Sequence, residues 1–329
     1  MSGGWWLVVA LGPAIAAWAL IAVLRRSALA ARFADQPNER SLHEVATPRI
    51  GGIGLVAAAL AFAVGWATPA LAVVLAATLF LALLSLVDDL RALPISVRLP
   101  AHVAAAAVVV LAIASPDAGH SAPGAVQCAV VVIAIAWMTN LYNFMDGADG
   151  LAGGMALIGF ATLAVAATGA GNVSLAVTSA CFASAAGGFL LHNFPPAHVF
   201  MGDAGSIPLG FLAGALGLAG YVQGAWPAWF PVAVFAPFIA DATLTLLRRA
   251  ARGERVWQAH RLHAYQRLVL GGMSHRALAL CAYAVMSLTS LAALAALKCE
   301  GEARSGIIMA LLAAYAVLFT AIELRARAR

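Results

Sequence analysis

The segment Pro69-Ala-Leu-Ala-Val-Val-Leu-Ala-Ala-Thr-Leu-Phe-Leu-Ala-Leu-Leu-Ser-Leu-Val87 carries no charged side chain and runs directly into Asp88-Asp89-Leu90-Arg91. As a helix it is long enough to cross the ~30 Å hydrocarbon core of a bilayer. In lipid only a helix or a closed barrel satisfies every backbone polar group internally. Polar chemistry stacked at one end of such a segment is the pattern to follow through the rest of the chain.

Working outward, apolar runs of similar length fall near 5–24, 50–67, 69–87, 100–115, 124–141, 151–168, 173–191, 206–222, 227–247, 276–297 and 305–323. The expected fold is therefore an all-α, polytopic integral membrane bundle of about eleven helices, with 1–329 as a single domain. Only Thr68 and Pro69 separate the second and third runs. The composition agrees: of 329 residues, 63% are hydrophobic and 10% charged, against about 25% charge in a soluble domain. No long hydrophilic domain interrupts the spans, and the largest polar segment, 248–275, reads as a loop. Cys128, Cys181 and Cys281 lie in apolar runs and Cys299 in a short polar loop. They have neither metal nor disulfide spacing, so they read as small buried hydrophobes.

Charge placement gives the orientation. All Lys and Arg except Lys298 and Arg304 fall in the loops after odd-numbered spans or in the C-terminal tail. The positive-inside rule makes that side cytoplasmic. The N-terminus is then expected in the periplasm and the C-terminus in the cytoplasm, as in a bacterial inner-membrane protein. The first apolar run is followed by Arg25 and Arg26 instead of preceded by basic residues, which suits a first span and not a signal peptide. The net charge of +5 is thus accounted for by topology, and nucleic acid is not an expected partner.

Acidic residues are few, and Asp88, Asp89, Asp146, Asp149, Asp203 and Asp241 all sit at or near the cytoplasmic ends of spans. Asp117, Glu300 and Glu302 fall on the other side. Adjacent carboxylates on a helix point about 100° apart, so Asp88 and Asp89 are expected to reach one site only where that helix frays. In Asn140-Leu-Tyr-Asn143-Phe-Met-Asp146-Gly-Ala-Asp149-Gly150, oxygen-bearing side chains recur every third residue. Gly147 and Gly150 disfavour a regular helix beyond Asp146. Hard oxygen donors of this kind suit Mg²⁺, which keeps several waters and takes one or two protein ligands plus phosphate oxygens; Mn²⁺ is an alternative.

The third cluster is His192-Asn193-Phe-Pro-Pro-Ala-His-Val-Phe200-Met-Gly202-Asp203-Ala-Gly205-Ser206. It places a carboxylate between glycines just before a helix, where backbone and phosphate can approach. Ser206 reads either as a phosphate contact or as an N-cap, and Phe200 either stacks on a nucleobase or packs at the interface. The fourth, Asp241 to Arg267, contains Arg248-Arg249 and His260-Arg261-Leu-His263-Ala-Tyr265-Gln266-Arg267. Its cations and imidazoles suit diphosphate recognition. No P-loop and no zinc-hydrolase signature is present. A secondary transporter accounts for the spans and for Asp241 but not for polar clusters confined to one side.

With these motifs in order, the chain resembles the polyprenyl-phosphate N-acetylhexosamine-1-phosphate transferase superfamily (MraY/WecA-type, glycosyltransferase family 4) over roughly 35–270. The matching blocks run from Asp35-Gln-Pro-Asn38 through Pro48-Arg-Ile-Gly51-Gly52, Asp88-Asp89, Asn140–Gly150 and Phe200–Asp203 to the His260 loop. The resemblance implies a cytoplasm-facing cleft and transfer of a HexNAc-1-phosphate from a UDP-sugar to polyprenyl (undecaprenyl) phosphate in the inner leaflet. By position it makes Asn143 and Asp203 the Mg²⁺ contacts and Asp88 of the Asp88–Asp89 pair the candidate base. Asp149 and Phe200 match the uridine pocket, with Asp146 and Asn193 close by. His260 and His263 match a loop beside the diphosphate and sugar. Asp88, Asp89, Asp146, His260 and His263 are thus the expected catalytic set. Asn140, Asp149, Asn193, Phe200, Ser206, Arg261 and Arg267 are the expected substrate contacts. The loop lacks the consecutive histidines of the muramoyl-pentapeptide enzymes, so it is similar to the branch that initiates O-antigen or other surface glycans. GlcNAc, GalNAc, FucNAc and QuiNAc remain open, and a homodimer is compatible with the resemblance.

Overall fold

The computed structural model describes residues 4–36, 46–113, 124–255 and 260–327. Asn38 and Asp117, named above, lie outside the described residues. Helices α1 (Gly4–Arg25), α4 (Pro69–Arg91), α5 (Ile95–Ile113), α6 (Ala125–Phe144), α7 (Leu151–Gly169), α8 (Val173–Asn193), α9 (Asp203–Val222), α13 (His275–Lys298) and α14 (Gly301–Arg327) occupy nine of the expected runs. Among the described residues, these nine are long and apolar enough to cross a membrane.

The other two runs depart from expectation. Run 50–67 forms a shorter helix, α3 (Gly51–Ala63), extended by a 3₁₀ turn to Trp66. Run 227–247 is broken into α10 (Trp229–Val234) and α11 (Ala236–Ala251) at Phe235. Pro237 follows that break; it has no N–H to continue the ladder of α10, yet is well placed in the first turn of a new helix. Short α2 (Ala28–Arg32) and α12 (Ala264–Leu270) complete the helices. Among the described residues the one strand pair is antiparallel, β1 (Ala34–Asp35) with β2 (Thr47–Pro48), in register Ala34 to Pro48 and Asp35 to Thr47.

Two helices form the centre. Helix α8 packs against α7, α1 and α3, and α9 packs against α6, α4, α3 and α5. Both are largely buried because Ala, Gly and Ser let neighbours approach from nearly every side. Helix α14 lies at the edge against α13 and touches α12, with most of its apolar surface facing outward. Alternation of long helices brings the ends of α4, α6 and α8 and the starts of α5, α7, α9 and α13 to one end of the bundle.

At that end the chain is knitted by backbone. Phe200 N–H donates to Pro48 O at 2.9 Å, Gly51 N–H to Phe200 O at 2.9 Å and Gly52 N–H to Met201 O at 2.8 Å. Gly52 meets Gly205 so closely that a Cβ on Gly52 would collide with the Gly205 backbone. The approach of α3 to α9 depends on the absence of both side chains, whereas Gly187 has open space with Leu157 Cδ1 at 3.8 Å. Gly52→Val is expected to lower the unfolding temperature in detergent, by the ~1–3 kcal/mol typical of overpacking or more. Gly187→Ala should leave it within error. Thermal unfolding of the two variants side by side checks the contrast.

Candidate active site

Four carboxylates converge where α4, α6 and α9 meet. Helix α4 does not fray before Asp88, as the sequence reading required; it continues through Arg91 and ends on Ala92 in a left-handed conformation (φ 48°). Its two aspartates reach the start of α9 by different routes. Asp88 Oδ1 accepts Leu93 N–H at 2.6 Å, and Oδ2 accepts Arg98 Nη1 at 2.8 Å. Arg98 Nη1 also lies 3.8 Å from Asp203 Oδ2, so one guanidinium joins Asp88 to Asp203. Asp89 Oδ2 accepts Ala204 N–H at 3.3 Å, capping α9 from outside because Gly202 has no side chain to do so. A carboxylate there also suits the positive end of the α9 dipole. Arg49, held beside the strand pair by a 3.4 Å contact with Asp35, lies 3.7 Å from Asp89.

Helix α6 stops at Phe144, and Asp146 follows in the loop. Burial first, then the Asp203 and Asp89 carboxylates, push the Asp146 pKa well above the ordinary carboxylate range. Asn143 hydrogen-bonds the Asp203 carboxylate. Ser206 is not the N-cap of α9, which starts at Asp203. Its Oγ donates to Asn143 Oδ1 at 2.7 Å and lies 3.2 Å from Gly202 O. Among the described residues no three His, Cys, Asp or Glu side chains close around a metal ion on their own. What the structure offers a hard cation is one carboxylate and one amide on neighbouring helices, with Asp89 and Asp146 close by. Mg²⁺, which keeps most of its coordination for water and phosphate, fits such a sparse donor set.

The uridine-pocket candidates are largely braces. Asn193 Oδ1 accepts Gly150 N–H at 2.9 Å and its Nδ2 donates to Val199 O at 2.8 Å. The buried amide thus ties the start of α7 to the 193–200 turn. Asp149 Oδ2 accepts Ala197 N–H at 3.0 Å, and its Oδ1 lies 3.4 Å from His275 Nδ1. Phe200 is half-buried, with both backbone groups bonded across to residues 48 and 51.

The histidine loop is fastened from two sides. Buried Asp241 on α11 accepts Ala264 N–H at 2.7 Å and Tyr265 N–H at 3.2 Å, capping α12. Burial also raises the Tyr265 phenol, which stays protonated and donates to Phe144 O at 3.1 Å. On the other side Glu323 Oε2 of α14 accepts Arg267 Nη1 at 2.7 Å and Arg248 Nη1 at 3.2 Å. Arg267, expected at the substrate, is therefore committed to α14. Half-buried Arg261 has no hydrogen bond or ion pair among the described residues. His263 is buried, with the His260 ring tilted at 40° beside it and 4.8 Å between centroids. Both line a cavity of about 640 Å³ shared with Arg98, Asn140, Asn143 and apolar side chains of α5 and α6.

Comparison with known proteins gives this geometry a family. The profile of glycosyl transferase family 4 matches residues 71–221. A probable undecaprenyl-phosphate N-acetylglucosaminyl 1-phosphate transferase of Bacillus subtilis is 30% identical over 286 residues, covering 83% of this chain and 79% of the relative. The chain belongs to glycosyl transferase family 4. It is similar to the decaprenyl-phosphate N-acetylglucosaminephosphotransferase of Mycolicibacterium smegmatis, at 29% over 352 residues, 94% of this chain and 85% of the relative. A phospho-N-acetylmuramoyl-pentapeptide-transferase of Picosynechococcus is 33% identical over 239 residues, 66% of this chain and 64% of the relative. The family 4 member described here is thus a membrane phosphotransferase. The matched segment holds every carboxylate of the cluster, whereas Arg49 lies before it and the histidine loop beyond it.

Sequence reasoning treated Arg49 and Arg98 as topology charges; the structure makes them the cations of the carboxylate cluster. The sequence signal was Arg98 itself, close behind Asp88-Asp89 across the Leu93-Pro94 reversal.

His260 yields a pH prediction. Burial, then electrostatic repulsion from the His263 and Arg249 side chains, lowers its pKa to about 4. The ring is neutral at pH 7. As pH falls from ~6.5, the ordinary value, towards 4, the unfolded chain takes up a proton that the folded chain refuses, so stability is lost over that window. His260→Gln is expected to shrink the drop in unfolding temperature between pH 7.5 and 5.0. An unchanged drop means that the ring titrates normally.

Proposed function

We propose that this family 4 transferase moves a HexNAc-1-phosphate from a UDP-sugar to polyprenyl phosphate, giving polyprenyl-diphospho-sugar and UMP. The single observation that carries this reading is the joining of Asp88, Arg98, Asp203, Asn143 and Ser206 into one cluster, whose Arg98 and Asn143 line a cavity with apolar walls. A polar donor and a lipid acceptor need such a meeting place. The functions of the relatives supply the reaction class.

In the reaction, an oxygen of the lipid phosphate attacks the β-phosphorus of the donor. The bond from that phosphorus to the bridging oxygen breaks, and UMP leaves with the oxygen. Bound Mg²⁺ on Asn143 and Asp203 supplies neutralisation of diphosphate charge. The chain's own residues supply position. Ser206 holds the Asn143 oxygen and so leaves the amide N–H for the Asp203 carboxylate, Arg98 spaces Asp88 from Asp203, and neutral His260 offers a hydrogen bond without adding charge. A lipid phosphate with a second pKa near ~6 is mostly dianionic at neutral pH, by analogy with phosphoserine. It needs no base, and Asp88 then orients Arg98 instead of taking a proton.

The Arg-rich end faces the cytoplasm of a bacterial inner membrane in this reading, with the N-terminus in the periplasm, and the product starts a cell-envelope glycan of the O-antigen type. A second reading, transfer of phospho-MurNAc-pentapeptide, is favoured by the Picosynechococcus relative. The separated His260 and His263 weigh against it.

Purified protein should release UMP from at least one of a panel of UDP-HexNAc donors only when undecaprenyl phosphate and Mg²⁺ are both present. Product mass identifies the sugar. Release from UDP-MurNAc-pentapeptide alone selects the second reading, and no release from any donor ends the proposal. Asp88→Asn distinguishes the roles of Asp88. Activity that falls only a few-fold at pH 8 excludes an essential base, whereas a loss of ~10²–10⁴-fold, the range ascribed to positioned acid–base groups, restores one.

A further inference from the structure

His102 belongs to none of the interactions above. It lies on α5 one turn past Arg98, in the middle of an apolar stretch, with 3% of its surface exposed. Its ring hydrogen-bonds the side chain of Asn140, whose Nδ2 also donates to Ala136 O at 2.7 Å. Nδ1 is buried and has no partner. Neither does Nε of Arg98, also buried. A buried nitrogen left without a hydrogen bond costs about 1–3 kcal/mol. Here two such nitrogens sit four residues apart on one helix, and residues so spaced share a face. Both residues line the cavity, together with Leu99, Val103, Ile133 and Trp137.

The arrangement is a polar ladder on an apolar wall. Its upper rung is Arg98, next to Asp203; its lower rung is His102 with Asn140, one turn further from the carboxylates. Arg98 Nε–H can only donate. A ligand that satisfies it brings an acceptor oxygen, and a ligand that fills the rest of the wall brings hydrocarbon. Of the two substrates in the proposed reaction, only the acceptor has both.

We propose that His102 is a positioning residue for the acceptor, donating from Nδ1 to a phosphate oxygen of the polyprenyl phosphate beside Arg98 Nε. This rests on the transferase reading for the identity of the lipid. The role is to hold the attacking phosphate at a fixed depth below Asp203, and it involves no proton transfer.

The test compares His102→Leu, which removes the donor, with His102→Gln, which keeps an N–H. Full-length protein is assayed with each substrate varied in turn. His102→Leu should raise the KM for undecaprenyl phosphate about tenfold, the effect of one hydrogen bond to a charged group, and leave the donor KM unchanged. His102→Gln should stay within about threefold of wild type. Native mass spectrometry gives a readout independent of turnover. Wild type should retain undecaprenyl phosphate in preference to undecaprenol, and His102→Leu should lose that preference while binding the alcohol as before. If the Leu variant does not purify as a folded protein, His102→Phe, a ring without nitrogen, takes its place. An unchanged acceptor KM, a parallel rise of both KM values or a retained preference for the phosphate overturns the inference. If wild type transfers no sugar phosphate, the transferase reading fails first, and the lipid-binding comparison still decides the role of His102.

Discussion

Asp88, Asp89, Asp146 and Asp203 crowd one end of the bundle, and like charges at short range in a poorly solvated site repel strongly. The rest of the structure depends on how that repulsion is offset. Two guanidiniums do part of it: Arg98 between Asp88 and Asp203, and Arg49 beside Asp89. Backbone N–H groups of Leu93 and Ala204 do more. Four carboxyl groups still face only these two guanidiniums, and the crowding is felt at Asp146, whose pKa is pushed up; a divalent cation would relieve it and then draw in phosphate.

The fold delivers these groups from segments far apart in sequence. Arg49 arrives on the strand pair and is fixed because residues 48–52 hydrogen-bond to residues 200–201. That contact is backbone to backbone, so the position of Arg49 relative to Asp203 does not rely on long flexible side chains. The histidine loop is held by carboxylate side chains instead. Asp241 grips the first N–H groups of α12, and Glu323 anchors the other flank. Most polar groups are already committed before any substrate arrives, which is the electrostatic preorganisation that phosphoryl transfer asks of a protein.

Much of this was legible in the sequence. Hydropathy located the long helices because lipid imposes one length and one composition on them. The motif order located the carboxylates and Asn143. What the sequence could not carry was pairing. Arg98 was visible as a charge, but its place between Asp88 and Asp203 depends on how the chain reverses at Leu93-Pro94. Asn193, Asp149 and Ser206 were visible as polar, and their chemistry reads differently once their backbone and amide partners are known. The break at Phe235 was hidden because apolar averaging over 227–247 is blind to where Pro237 interrupts the ladder. His102 was hidden because a single histidine in an apolar run looks like core.

Helix α11 has a consequence for how the chain enters the membrane. Asp241, Thr245 and Arg249 face inward and are buried, while Leu244 and Leu247 face out. The segment is not among those apolar enough to cross on their own. Placing an unpaired carboxylate in hydrocarbon is costly, and apart from the Thr245 hydroxyl of its own helix the groups that relieve Asp241 belong to His263 and α12, later in the chain. Stable insertion of residues 229–251 therefore waits for downstream polypeptide, which makes the histidine loop an assembly partner during biogenesis as well as a wall of the cavity afterwards.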